Sequence, residues 1–192
     1  MIKDLILRNR SYRKFQNNRK VEIDTLEELV DLARTTPSSK NLQPLRYILV
    51  TDTNDVDFVF SQLKWAWYLK NWEGPDEKER PPAYIIMCID TEVNEKALID
   101  VGISAQTILL GATEIGLGGC IIRTVNGYAV SKHFNLPSNI DIVQVIALGY
   151  PDQQIKLTEI SDNESIEYFE DSNGTHFVPK RKLEDIILYK KG

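Results

Sequence analysis

Apolar residues at Ile2, Leu5, Ile6 and Leu7 recur with helical spacing, and predict a short amphipathic helix over residues 2–10. A second helix is expected after Asp24, which with Glu27 has the spacing of a capping box; Leu26, Leu29, Val30 and Ala33 form its inner stripe, and Pro37 closes it. Residues 37–44 form a polar loop between two prolines, and 46–51 read as a strand rich in β-formers. Residues 54–72 are expected to be helical, ending in Trp65, Trp67, Tyr68 and Trp72, with a charged loop over 73–82. The continuous run Tyr84-Ile85-Ile86-Met87-Cys88-Ile89 predicts a strand buried on both faces. Residues 95–115 form the longest predicted helix, apolar around most of its circumference, so it belongs in the core or in a subunit interface. After the break at Gly116-Leu117-Gly118-Gly119 come a strand from Cys120, a short helix over 126–134 and a strand over 140–149. Residues 152–178 read as an extended, partly irregular surface excursion, and 183–188 as a short apolar segment, helix or strand. Strands and helices in mixed order suggest an α+β fold, although alternation this irregular does not by itself separate it from a parallel α/β sheet.

With 192 residues, 42% of them hydrophobic and 27% charged, the chain is long enough for one globular domain, taken here as 1–192, and needs no metal or disulfide scaffold. Cys88 and Cys120 both lie in apolar runs and read as buried thiols, and His133 and His176 are too few for a zinc site. The early acid at Asp4 argues against a signal peptide, and Asp100, Gln106 and Glu114 interrupt the longest helix, so no membrane span is expected. A reducing cytoplasmic setting follows as the default. A net charge of −5 argues against a nucleic-acid partner. That total conceals an asymmetry: residues 1–20 carry +6 and residues 179–192 carry +3, leaving −14 for the body between them. The basic ends are either solvated or converge on one anion. Arg10-Ser11-Tyr12-Arg13, with two guanidinium forks and a hydroxyl, has the groups a phosphate monoester needs.

Neither a Gly-x-Ser-x-Gly nucleophile turn nor a Walker lysine is present. The 116–119 glycines follow a helix, which is the wrong context for a dinucleotide fingerprint. They read as a helix cap and tight turn, or as a place where backbone approaches a flat ligand. The 37–44 loop is either a stiff connector or a rigid display of donors and acceptors on Ser38, Ser39, Asn41 and Gln43, which would suit the edge of a heterocycle. The aromatic cluster at 65–72 reads more readily as core than as a binding surface.

Taken in order, Arg10-Ser11-Tyr12-Arg13-Lys14-Phe15, the 37–44 segment, Ile115 to Cys120, Leu148-Gly149-Tyr150-Pro151 and Pro179-Lys180-Arg181-Lys182-Leu183 resemble the FMN-dependent nitroreductase family over nearly the whole chain. The resemblance implies an α+β fold with a mostly antiparallel sheet flanked by helices, in an intertwined homodimer with the 96–115 helix at its interface. It implies FMN as cofactor, with Arg10, Ser11, Tyr12 and Arg13 toward its phosphate and ribityl end, and Lys180 and Arg181 (or Lys182) closing from the C-terminal side. Pro37, Ser38, Ser39, Asn41 and Gln43 would approach the flavin, in part from the other subunit, and backbone at Ile122 and Arg123 would face flavin N5. Asn9 stands where many members carry a basic residue, which removes one phosphate contact. The implied activity is two-electron transfer from NAD(P)H through the flavin to a flat acceptor such as a nitroaromatic or quinone, in ping-pong order. The cofactor performs that chemistry, so no catalytic side chain is assigned. A non-catalytic flavin carrier or sensor on the same scaffold is the alternative.

Overall fold

The computed structural model describes residues 1–70 and 72–192, which fall into two compact units: residues 1–65 with 73–152, and residues 66–72 with 153–192. The first unit is built on a four-stranded sheet of order β1-β2-β4-β3, with β1 at Leu45–Val50, β2 at Ala83–Asp90, β3 at Gly118–Ile122 and β4 at Ile140–Gly149. All three pairings are antiparallel, which resolves the ambiguity left by the pattern.

The unbroken apolar run of β2 has a direct cause. Ala83, Ile85, Met87 and Ile89 enter one core, while Tyr84, Ile86 and Cys88 enter another. Side chains alternate along a strand, so a central antiparallel strand covered on both faces needs apolar residues at every position. The first face is covered by α2 (Ile23–Arg34) and α5 (Leu98–Glu114), the second by α3 (Thr53–Ser61), α6 (Gly127–His133) and Phe15. Burial pushes the Cys88 thiol up to about 12, with Asp141 adding to the effect, and raises that of Cys120 as well.

Several expected boundaries move. The first helix, α1, ends at Arg8. Glu22, not Asp24, is the N-cap residue of α2, with no side-chain cap bond; Asp24 lies inside the first turn, where its charge favours the helix N-terminus. The helix expected over 54–72 forms only as α3, capped by Asp52, whose carboxylate accepts from the backbone of Asn54 and Asp55. Beyond it, Leu63 bridges Val125, and the Lys64 N–H donates to the Thr124 carbonyl, which takes the chain out of helical geometry; residue 71 of that stretch lies outside the described residues. A short helix, α4 (Thr91–Asn94), precedes α5.

In the second unit the extended, partly irregular excursion expected over 152–178 proves to contain paired strands. The unit holds a three-stranded sheet of order β5-β7-β6, with β5 at Ile155–Ile160, β6 at Phe169–Glu170 and β7 at His176–Arg181, followed by α7 (Leu183–Ile186). β5 and β7 are parallel, so their pairing spans a connection that local pattern does not reveal. Within this unit Tyr168 packs edge-on to Tyr68 and against the fully buried His176.

Candidate active site

α1 stops because Asn9 turns extended, and the chain then runs beside β3. Ser11 bridges Gly119, and the Tyr12 N–H donates to the Gly119 carbonyl at 3.0 Å. Further on, the Gln16 N–H donates to the Tyr150 carbonyl and the Asp152 N–H to the Lys14 carbonyl, both at 2.9 Å. Three of the sequence motifs therefore meet in one place: residues 10–15, the glycine segment and Leu148 to Pro151.

The cap-and-turn reading of the glycine segment holds at its first residue. Gly116, at φ +83°, is the turn. Gly118 and Gly119 already belong to β3, and within the chain they permit close approach of neighbouring protein. A Cβ at Gly118 would lie 2.5 Å from the Tyr12 ring and 2.7 Å from Pro151; at Gly119 it would lie 2.6 Å from the Ala147 carbonyl oxygen. The Tyr12 ring lies over Gly118, and its hydroxyl donates to the Arg8 carbonyl at 3.2 Å. Burial raises the phenol above its ordinary value, and Arg10 and Arg8 oppose that rise.

The cations are arranged around this anchor. Arg8 pairs with Asp4 at 2.9 Å and reaches the Thr113 carbonyl at 3.4 Å. Arg10 donates through Nη2 to the Ile6 carbonyl at 2.5 Å, while its Nε is buried without a hydrogen-bond partner. Arg13 donates to the Ser11 carbonyl at 3.3 Å, and its charge bears on the Cys120 thiol beneath it. The Ser11 hydroxyl belongs to an exposed residue. An orphaned guanidinium nitrogen, further arginines and an exposed hydroxyl suit a phosphate dianion, so these residues fit the terminal group of FMN.

The second cluster is the 37–43 segment. Ser38 donates to Asp100 Oδ2 at 2.5 Å, and Gln43 donates its backbone N–H to Ser38 Oγ at 2.9 Å. Ser39 and Asn41 are exposed. Pro37, Ser38 and Gln43 border a recess of about 180 Å³ that Arg46, Tyr47 and Ser104 also line. Asp100 is only 3% exposed, and sequence reasoning treated it merely as an interruption of an apolar helix. The signal was present: a carboxylate flanked by apolar residues near the start of such a run requires a donor partner if it is buried.

The two clusters do not meet within one chain. Asp100 lies in the first turn of α5 and Thr113 in its last. Thirteen residues of helix separate them by roughly 20 Å. Ile122 is buried in the second core, whereas Arg123 is exposed just past the end of β3. In the second unit Lys180 is exposed on β7, and Arg181 is paired with Asp162.

Comparison with known proteins agrees with this architecture. Residues 6–150 match the nitroreductase family. An Archaeoglobus fulgidus protein named for NADH dehydrogenase/NAD(P)H nitroreductase activity is 25% identical over 166 residues, covering 82% of this chain and 90% of its own. The iodotyrosine deiodinase of Thermotoga neapolitana is 26% identical over 172 residues, covering 79% and 89%. The solved structure of an FMN-dependent nitroreductase of Clostridium difficile R20291 superposes with a TM-score of 0.64 at 26% identity, over 90% of this chain and 94% of that one. The ordered motifs, the antiparallel sheet between two helical layers and the match over residues 6–150 together place this chain in the nitroreductase family of oxidoreductases.

Proposed function

We propose that this protein is an FMN-dependent oxidoreductase that takes two electrons from NAD(P)H and delivers them to a flat organic acceptor, nitroaromatic or quinone in type, in ping-pong order. One observation carries the reading: the arginine cluster and the 38–43 turn stand at opposite ends of α5, with an exposed apolar stripe on that helix. Ile99 is 77% exposed and Ile103 37%, Gly102 between them has open space above it, and α1 adds the exposed Ile2, Ile6 and Leu7. Antiparallel pairing of α5 with a second copy about a two-fold axis covers this stripe. It also brings the partner's 38–43 turn beside this chain's Arg10, Ser11 and Arg13. A homodimer with two equivalent flavin sites follows.

In that arrangement Arg10 and Arg13 neutralise the phosphate and the Ser11 hydroxyl supplies a further hydrogen bond. Ser39 and Asn41 offer polar groups to the ring edge. Backbone at Ile122 and Arg123 lines the site from β3. A flavin held there by Arg10, Ser11 and Arg13 would supply the two-electron chemistry. The protein's task is to hold, orient and exclude. Two buried thiols suit a cytoplasmic setting.

The test is an absorbance spectrum of the purified full chain, followed by NADPH or NADH under anaerobic conditions. Yellow protein that bleaches with either nicotinamide supports the reductase; bound flavin that never bleaches favours a carrier. Arg13→Ala should lose most of its FMN at equal protein concentration, and full retention would contradict the site.

A further inference from the structure

The 37–43 segment is built in a costly way. Lys40, Asn41 and Gln43 all have positive φ, at +51°, +57° and +52°, and none is glycine. Side chains with a Cβ resist this region, and only asparagine among the three visits it readily. Such geometry persists when surrounding contacts over-determine it, and it gathers where chains hold ligands.

The contacts responsible are on one carboxylate. Asp100, buried in the first turn of α5, accepts from Ser38 Oγ at 2.5 Å and from the Ser39 N–H at 3.3 Å to each oxygen. Ser38 Oγ in turn accepts from the Gln43 N–H at 2.9 Å, which ties the far end of the turn to its start. Inside this frame the Asn41 N–H donates to the Ser38 carbonyl, the Leu42 N–H to the Ser39 carbonyl, and the Gln43 side-chain amide to the Asn41 carbonyl. A serine hydroxyl has one proton, and here Asp100 holds it, so Ser38 cannot donate to an incoming ligand. Ser39 and Asn41, on the exposed crest between the two anchors, remain able to do so.

The geometry points to Asp100 as a positioning residue of the flavin site, acting through Ser38 to hold the 38–43 turn in the left-handed form that presents Ser39 and Asn41. This inference rests on the flavin-binding reading above. It reassigns Ser38 from flavin ligand to internal strut.

FMN affinity, measured by flavin fluorescence on the apo full-length chain, and the visible circular dichroism of bound FMN at saturation test it together. Asp100→Asn keeps the volume but turns an amide N–H₂ toward the donors. Ser38→Ala removes the strut and leaves the carboxylate. Each should weaken FMN binding about tenfold, the loss expected for one charge-assisted hydrogen bond. The double variant should be no weaker than the worse single one, because both act on one element. Ser38→Thr, which keeps the hydroxyl, should bind within about twofold of wild type and retain its dichroic band. Ser38→Ala alone suffices if Asp100→Asn does not fold. Wild-type affinity and an unchanged band in Ser38→Ala would overturn the inference, as would fully additive losses in the double variant, while the flavin reading would stand. Wild-type protein that takes up no FMN would remove the flavin reading and this inference with it.

Discussion

Replacing Gly119 by alanine should do damage out of proportion to one methyl group. The added Cβ would lie 2.6 Å from the Ala147 carbonyl oxygen and 2.6 Å from Leu109 Cδ2. Leu109 is a side chain that can turn aside. Ala147 is backbone in β4, bonded to both β2 and β3, and cannot yield without disturbing two ladders. Overpacking of this kind costs about 1–3 kcal/mol. Displacing β3 also threatens the bond from the Tyr12 N–H to the Gly119 carbonyl, worth about 1 kcal/mol. The sum is roughly 2–4 kcal/mol, and a chain of this length loses about 2–4 °C in Tm per kcal/mol, so the melting temperature should fall by ~4–16 °C. Because the same bond anchors the segment that carries Arg10 and Arg13, FMN affinity should fall too. Gly127→Ala is the control: its Cβ meets only Ile142 Cβ at 3.8 Å, an ordinary contact, and the change should be neutral or stabilising by up to about 1 kcal/mol. Thermal unfolding of both variants, with and without FMN, measures the contrast. A Gly119→Ala protein that melts within a degree of wild type and binds FMN normally would refute the argument that this glycine exists for chain-to-chain contact.

Ile103→Asp places a charge in the exposed α5 stripe without touching the core; it should convert the proposed dimer to monomer in sedimentation and weaken FMN retention, whereas a dimer unchanged by the substitution, or a monomeric wild type, would sink the α5 pairing. At alkaline pH stability should decline. Cys88 is held near 12 in the fold against an ordinary 9.0, and burial also raises Cys120 and Tyr84. Folding therefore favours the protonated forms; for Cys88 the contribution is complete below about pH 9 and is lost as pH climbs toward 12, at up to ~1.4 kcal/mol per pH unit, and Cys120 and Tyr84 act in the same direction. Urea titrations from pH 8 to 11 would measure this, and a flat profile would contradict it.

The α+β class and several elements were legible where burial alone decides the residue type. β2 and β4 run through two cores, and α6 is bounded by Asn126, whose side chain accepts from the Ala129 N–H. The family was legible from the order of the motifs, since each alone has an ordinary use, as solvated charge, stiff connector or helix cap, and only the set along one chain resembles the nitroreductases. Less legible were elements whose stability comes from distant partners. The β5-β7-β6 sheet has short strands set in an acid-rich stretch, and its parallel pair forms across a long connection. The chain after α3 leaves the helix because Leu63 and Lys64 bond to Val125 and Thr124, some sixty residues away.

By itself, then, the sequence determined which residues must leave water and which functional groups the chain carries, because hydrophobicity and donor chemistry are properties of the residues themselves. The tertiary structure alone decided what those groups face. It set Gly118 and Gly119 against Tyr12 and Ala147, gave Asp100 the Ser38 hydroxyl, and put the arginines and the 38–43 turn at opposite ends of one helix. Those are contacts between segments tens of residues apart, and a local pattern holds no record of the distances across which a folded chain meets itself.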